Sequence, residues 1–281
     1  HLVLAGVVAL LASCGGAGTG SGAGSSESSP FEATDYEFLE SWGATDGSGN
    51  PISGTGSDAF AGPSGMIFRP DGDIYVTDRN NSTVKVYSAT GTHQVTWDFP
   101  DAAPNLIFPS DIAYDPLKKQ FAVIGNVASE LYFFNADGTF PNPVSIYFPD
   151  GIGTTEAKDP QAIAVDDAGY LYLLERDNNR IQVLETDGSF VEEFSDPGTG
   201  SGQFTSPREI FVDPLGNRYV TGSNNRVLKY DDQWNFLTEW GSAGTGPGEF
   251  DDPAGLTVDS NGYVYVADQN NHRVQVFRPV D

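Results

Sequence analysis

The side chains that most often carry chemistry are scarce in this chain. Of its three histidines, His1 lies at the start, His93 heads an extended segment and His272 sits in a recurring polar loop. A three-histidine zinc site cannot be assembled from His93 and His272, and neither stands beside a nucleophile signature that would complete a serine, histidine and aspartate triad. Asp46-Gly47-Ser48-Gly49-Asn50 places oxygen ligands at alternate positions, as a calcium loop does. Pro51 occupies the position where such a loop needs glycine, and no glutamate follows at the twelfth place. Calcium is therefore the one cofactor the pattern leaves open, on a poor match; otherwise none is expected. The glycine-rich stretches Gly54-Thr55-Gly56, Gly198 to Gly202 and Gly244 to Gly248 could cradle a phosphate only if a helix began after them, and none does. They recur regularly, which makes them connectors, with Phe60, Phe204 and Phe250 as apolar plugs behind them.

Charge excludes another class. Against 39 Asp and Glu the chain sets 14 Lys and Arg, a formal net charge of −25. A surface of that sign repels nucleic-acid backbones and anionic headgroups, so nucleic acid is not an expected partner. Cys14, the single cysteine, closes an apolar run from Leu2 to Ala12 that is too short to span a bilayer. Leu11-Ala12-Ser13-Cys14 resembles the lipobox of bacterial lipoproteins, which implies cleavage before Cys14 and a diacylglycerol on its thiol. Residues 1–13 then read as a truncated signal peptide, residues 14–33 as the lipidated cysteine with a Gly/Ser linker, and residues 34–281 as one folded domain. The linker composition cannot bury apolar surface and gives a tether with a reach of about 20–25 Å. The expected location is the cell envelope, on an outer membrane or the cell surface, with the membrane engaged through the lipid alone.

The elements that must position any site are legible from repetition. Segments headed by Pro63, Pro109, Pro160, Pro207 and Pro253 follow one another at intervals of 46, 51, 47 and 46 residues, a period that implies propeller blades. In each unit a short apolar strand ends near an acid (Asp115, Asp166, Asp213, Asp259). A glycine turn and a second strand follow, then a polar loop, a third strand, another turn and a fourth strand. Both faces of these strands are apolar, as blades packed between two neighbours require. The expected fold is all-β: a propeller of four-stranded blades, five by repeat count and six as the alternative. Phe38 to Gly43 nearly repeats Phe236 to Gly241, a fourth strand, while the chain ends after a third strand. The segment from Tyr36 is therefore expected to supply the outer strand of the last blade and lock the ring.

The repeats resemble the NHL family, in which a proline, an apolar strand, an acid, a glycine turn and a second strand ending in Asp lead to an Asn-x-Arg-type loop. Pro253 to Phe277, through Asp259, Gly262, Asp268 and Asn271-His272-Arg273, carries the best likeness. Asn178-Asn179-Arg180 and Asn224-Asn225-Arg226 keep the loop, Thr83 stands where blade one should have Arg, and blade two has Gly125 and Glu130 at the Asp and Arg positions. The resemblance implies six blades in most relatives and, in amidating lyases that share the propeller, a zinc site whose histidines this chain lacks. Pairs such as Asp268 with Arg273 recur from blade to blade and are expected to brace loops.

Residues that do not repeat on a repeating frame are where selectivity would be written. The residues just after each proline differ in this way, being Ser64, Asp111, Gln161, Arg208 with Glu209, and Ala254, and the candidate ligand-binding residues around the loop face are Arg79, Asp111, Gln161, Arg176, Arg208, Glu209 and Gln269. The leading expectation is a monomeric envelope binding or scaffold protein that recognises a protein or glycan through that face, with no catalytic residue assigned. The alternatives are a lactonase- or lyase-like enzyme using a metal held by carboxylates, and a structural spacer.

Overall fold

The computed structural model describes residues 59–69, 72–88, 90–98, 108–125, 129–135, 137–139, 145–185 and 187–280, together with the backbone of Asp35–Trp42. Cys14, the linker, Asp46 to Asn50 and Gly54-Thr55-Gly56 lie outside the described residues. Strand β1 is Asp35–Trp42. Blade one comprises β2 (Pro63–Phe68), β3 (Asp73–Asp78), β4 (Thr83–Ser88) and β5 (His93–Asp98). Blade two comprises β6 (Pro109–Asp115), β7 (Gln120–Gly125), β8 (Glu130–Asn135) and β9 (Ser145–Tyr147). Blade three follows with β10 (Pro160–Val165), β11 (Leu171–Glu175), β12 (Arg180–Leu184) and β13 (Phe190–Phe194). Blade four has β14 (Pro207–Val212), β15 (Arg218–Gly222), β16 (Arg226–Tyr230) and β17 (Phe236–Trp240), and a short parallel pair, β18 (Ser242–Ala243) with β19 (Glu249–Phe250), leads out of it. Blade five is β20 (Pro253–Val258), β21 (Val264–Asp268), β22 (Arg273–Val280) and, on its outer edge, β1.

The ring has five blades. Their first strands pack side by side in the order β2, β6, β10, β14 and β20, and β20 returns to β2. Closure occurs as the sequence implies. Strand β1 pairs antiparallel with β22, with Phe38 opposite Phe277 and Trp42 opposite Val274, so β1 and β22 share one sheet and β1 covers the edge of β22. The turns between first and second strands show why each acid precedes a glycine. The Oδ1 atoms of Asp166, Asp213 and Asp259 accept bonds from backbone N–H groups two and four residues on. Gly169, Gly216 and Gly262 supply the positive φ that completes each turn.

The apolar core lies between blades. Ile163, Leu171 and Leu173 meet Ala122, Ile124 and Leu131 across one interface, and Leu256, Val264 and Val266 meet Tyr219 and Val227 across another. Phe60, Phe204 and Phe250 are buried behind the connectors, as expected of plugs. Blade three has Ala157 at that place, with Phe148 in the same cluster. Among the described residues no helix is long and apolar enough to cross a membrane.

Candidate functional site at the channel mouth

Each blade begins with an irregularity that aims its side chains. The pairing of first with second strand slips just after the proline, between Pro109 and Asp111, Pro160 and Ala162, Pro207 and Glu209, and Pro253 and Gly255. A bulge of this kind leaves the residue after the proline outside the ladder and re-aims its neighbours. Gln161 and Arg208 are such unpaired residues. Asp111 and Glu209 are the next in line, at the place held by Gly65, Ala162 and Gly255 in the other blades.

The seven residues singled out from sequence fall into two layers. In the upper layer Arg208 joins three blades: it forms a two-pronged ion pair with Asp252, with Nε donating to Oδ1 at 2.9 Å, and donates to Gln161 Oε1 and to Gln269 Oε1, each at 3.2 Å. Gln161 in turn donates to Asp159 at 2.6 Å, and Arg176 pairs with Asp159. Gln269 Nε2 donates to the Pro63 carbonyl at 3.2 Å. Arg79 sits within the field of the same group. Burial first, then the charges of Arg208 and Arg176, push its pKa below the ordinary value, while Asp159 and Asp252 oppose that shift. A strongly acidic chain thus gathers Arg79, Arg176 and Arg208 at one mouth.

The lower layer is a carboxyl pair. Asp111 and Glu209 are 1% and 2% exposed. Asp111 accepts backbone N–H bonds from Ile112 and Ile163, both at 2.6 Å, and Glu209 accepts one from Ile210 at 2.9 Å. Glu209 Oε2 has no hydrogen-bond partner among the described residues, and the two carboxyls lie within each other's field. Burial raises both pKa values, that of Asp111 to about 8 and that of Glu209 well above its usual range, where the Asp111 charge adds to the effect. Both shifts favour the protonated form of the pair. Gly65 makes room for it, since a Cβ there would lie 1.9 Å from Asp111 Oδ1 and 2.3 Å from its Cα.

The repeated ion pairs do a separate job. Arg180 bonds Glu175 at 2.6 Å and donates to the carbonyls of Ile152, Gly153 and Glu156. Arg273 bonds Asp268 at 2.8 Å and donates to the carbonyls of Thr245, Gly246 and Glu249. These are loop braces, as expected. In blade one, where Thr83 replaces the arginine, Lys85 approaches Asp78 at 3.1 Å and donates to the Ala59 carbonyl, so the brace moves two residues along the strand.

Sequence reasoning missed the acids Asp159 and Asp252 and the aromatic Phe108, all of which directly precede a blade's proline. That position also differs between blades, being Gly62, Phe108, Asp159, Ser206 and Asp252, so the non-repetition that revealed Arg208 would have revealed them too. Among the described residues no three His, Cys, Asp or Glu side chains come together as a metal site.

Two segments, residues 60–87 and 250–277, match the NHL repeat. Over 162 residues, 53% of this chain, the sequence is 32% identical to NHL repeat-containing protein 3 of Mus musculus, of which it covers 46%. The chain thus spans about half the length of that curated relative. Among solved structures, glutaminyl cyclase of Myxococcus xanthus superposes with a TM-score of 0.60 at 13% identity, over 88% of this chain and 97% of that one. A protein of unknown function from Bacteroides thetaiotaomicron superposes with a TM-score of 0.56 at 16% identity, over 79% of this chain and 60% of that one. At such identities the likeness shows the fold alone. The comparisons and the structure together show NHL repeats in the first and last blades of a five-bladed propeller.

Proposed function

We propose that this propeller is a binding module of the cell envelope, held by a lipid on Cys14, that recognises a protein or glycan at the channel mouth. The observation that carries this reading is the convergence of polar side chains from several blades, with the non-repeating Arg208 bridging Gln161, Asp252 and Gln269, on a frame whose brace contacts stay within a blade. Loops on a rigid scaffold are the usual seat of recognition, and the neighbouring acids hold the arginines in place before any ligand arrives, which lowers the cost of ordering them.

An enzymatic reading has one feature in its favour, the buried carboxyl pair, since a carboxyl whose pKa is raised by burial is a common general acid. Asp111 and Glu209 are, however, both buried, and Asp111 is packed against Gly65, which leaves little room for a reacting atom. Their packing supports a structural part for them.

The test is retention of envelope extract on the immobilised chain, compared with the Arg176→Gln, Arg208→Gln double variant. Specific retention by the wild type that the double variant loses supports the reading; equal retention by both, or none, sinks it. The anchor is tested separately. Cys14→Ser should move the folded chain from the membrane fraction to the soluble one, and a variant that stays membrane-bound after a high-salt wash would refute lipidation.

A further inference from the structure

At the end of the strands away from the mouth, two N–H-bearing side chains stand where the other blades carry apolar residues or glycine. Arg218 opens β15 at the rung that Ile74, Phe121, Leu171 and Val264 fill in the other blades, all of them fully buried. Trp234 lies in the turn from third to fourth strand, at the place of Gly91, Gly138 and Gly188. We infer that Arg218 and Trp234 together hold one halide-sized anion, chloride in ordinary salt, between blades three and four. The inference does not depend on the reading of the mouth.

The two side chains are in contact, and each has an N–H to spare. Arg218 Cζ lies 4.6 Å from the centroid of the Trp234 ring. Arg218 Nε and Trp234 Nε1 are both buried, and neither has a hydrogen-bond partner among the described residues. Buried donors are nearly always satisfied, so two on touching side chains call for an acceptor.

Charge decides which acceptor. Arg218 is 7% exposed, and its other nitrogens meet uncharged groups, the Asp231 carbonyl at 2.9 Å and the Tyr172 hydroxyl at 3.4 Å. The rings of Tyr172 and Trp234 lie against the guanidinium, but among the described residues no carboxylate bonds to it. The acids around the site are used by their own turns. Asp231 accepts from the Gln233 and Asn235 backbones and from Asn235 Nδ2, each at 2.8 Å. Asp166 accepts from the Ala168 and Tyr170 backbones and from the Tyr172 hydroxyl. A buried cation without a bonded counter-charge is costly. A water would satisfy the donors alone, whereas an anion satisfies the donors and the charge.

Backbone strain points to the same place. A bulky residue at φ 63° is an outlier, and glycine serves this turn in blades one, two and three without that cost. Strained residues of this kind cluster at functional sites. Phe194, stacked on Trp234 at 4.2 Å and 7°, pins the indole from the face away from Arg218. Because both donor atoms are enclosed, an anion of several atoms would have to pull Trp234 off Phe194. A single-atom anion need not.

The experiment is thermal melting of the full chain in sodium chloride and in sodium gluconate, whose anion is too large to enter, at equal ionic strength. Chloride should raise the midpoint by about 3 °C over gluconate, the shift of a one-site ligand at about ten times its dissociation constant. Arg218→Gln removes the charge, Trp234→Phe keeps the ring and removes the N–H, and each should lose most of that shift. Wild-type crystals grown in sodium bromide should show an anomalous peak within hydrogen-bond reach of Arg218 Nε and Trp234 Nε1. The inference is overturned if chloride and gluconate give the same midpoint, if either variant keeps the full shift, or if the bromide peak is missing, which would make the acceptor a water. The salt comparison and the bromide peak use the wild-type chain and stand even if a variant misfolds.

Discussion

Arg273 and Arg208 are both about one-tenth exposed and both form a tight pair with an aspartate, yet their surroundings differ. Arg273 finds its acid five residues back, at the end of the preceding strand, and its carbonyls in the connector that enters its own blade. Arg180 does the same in blade three. Arg208 takes its partners from other blades: Gln161 from blade three, Asp252 and Gln269 from blade five. A contact contained within one repeat can recur in every repeat. A contact that depends on which blade stands next cannot. The frame is therefore built from what repeats, and the information at the mouth from what does not.

The largest effect expected is on the frame. Deleting residues 35–42 removes the outer strand of blade five and bares the edge of β22. The loss should approach the roughly 5–15 kcal/mol that holds a whole domain together. The bared edge should also make the chain aggregate, seen as loss of a cooperative melt, whereas deleting residues 15–30 should leave the melt unchanged. If both deletions are equally harmless, the ring does not depend on this closure.

Next come the braces. Arg273→Ala leaves Asp268, which is fully buried, without its cation, and breaking a buried pair in this way costs about 3–5 kcal/mol. Arg180→Ala should match it, because Glu175 is equally enclosed. Denaturant midpoints check both; a cost below about 1 kcal/mol for either would remove the distinction between brace and mouth.

The contrast also explains what could be read from sequence. Proline spacing, glycine turns and the copied Phe-Leu-x-x-Trp-Gly segment are local signals repeated several times, so the strands, the blade count and the closure were legible. The six-blade alternative came from relatives, and the five sheets do not support it. Asp111, Gln161, Arg208 and Glu209 stand out because they break the repeat, but their partners do not. Asp111 of blade two meets Glu209 of blade four across the axis, a contact between non-neighbouring blades that no local pattern encodes. It depends on Gly65 leaving the space. Phe108, Asp159 and Asp252 are hidden because each lies one residue before the proline that marks its blade. Lys85 was hidden because the brace it makes starts from a different rung of the strand.

Between frame and mouth lies the carboxyl pair, and pH should separate it from both. Burial raises the pKa of Asp111 to about 8 and that of Glu209 in the same direction, so the folded state holds protons that the unfolded chain releases near its ordinary carboxylate values. The stabilising contribution is complete below about pH 4 and is lost as pH climbs through about 8. Asp213 and Asp259, also raised by burial, act in the same direction. Lys229, lowered by burial to about 8, acts oppositely and only above that pH. The wild type should lose stability between pH 5 and pH 8, with a slope of up to about 1.4 kcal/mol per pH unit for each proton the folded state retains. Glu209→Gln keeps a donor for Asp111 and should flatten that slope. An equally steep slope in the variant would show that the pair is not its source.

The smallest effect expected on stability is at the mouth itself. Arg176 is 35% exposed and its partner Asp159 17%, so water solvates both and screens their attraction. Exposed pairs of this kind contribute about 0.2–1 kcal/mol, and Arg176→Gln should fall in that range and shrink further in high salt. Arg208→Gln should cost somewhat more, because Asp252, at 26% exposed, loses a two-pronged partner while Gln161 and Gln269 lose a donor. Both variants should nonetheless unfold well after the brace variants in a denaturant series. That ordering is the sharpest check on the division between a repeated frame and a non-repeated mouth. If Arg176→Gln destabilises the chain as much as Arg273→Ala, the mouth arginines are part of the frame, and their convergence gives no information about a ligand.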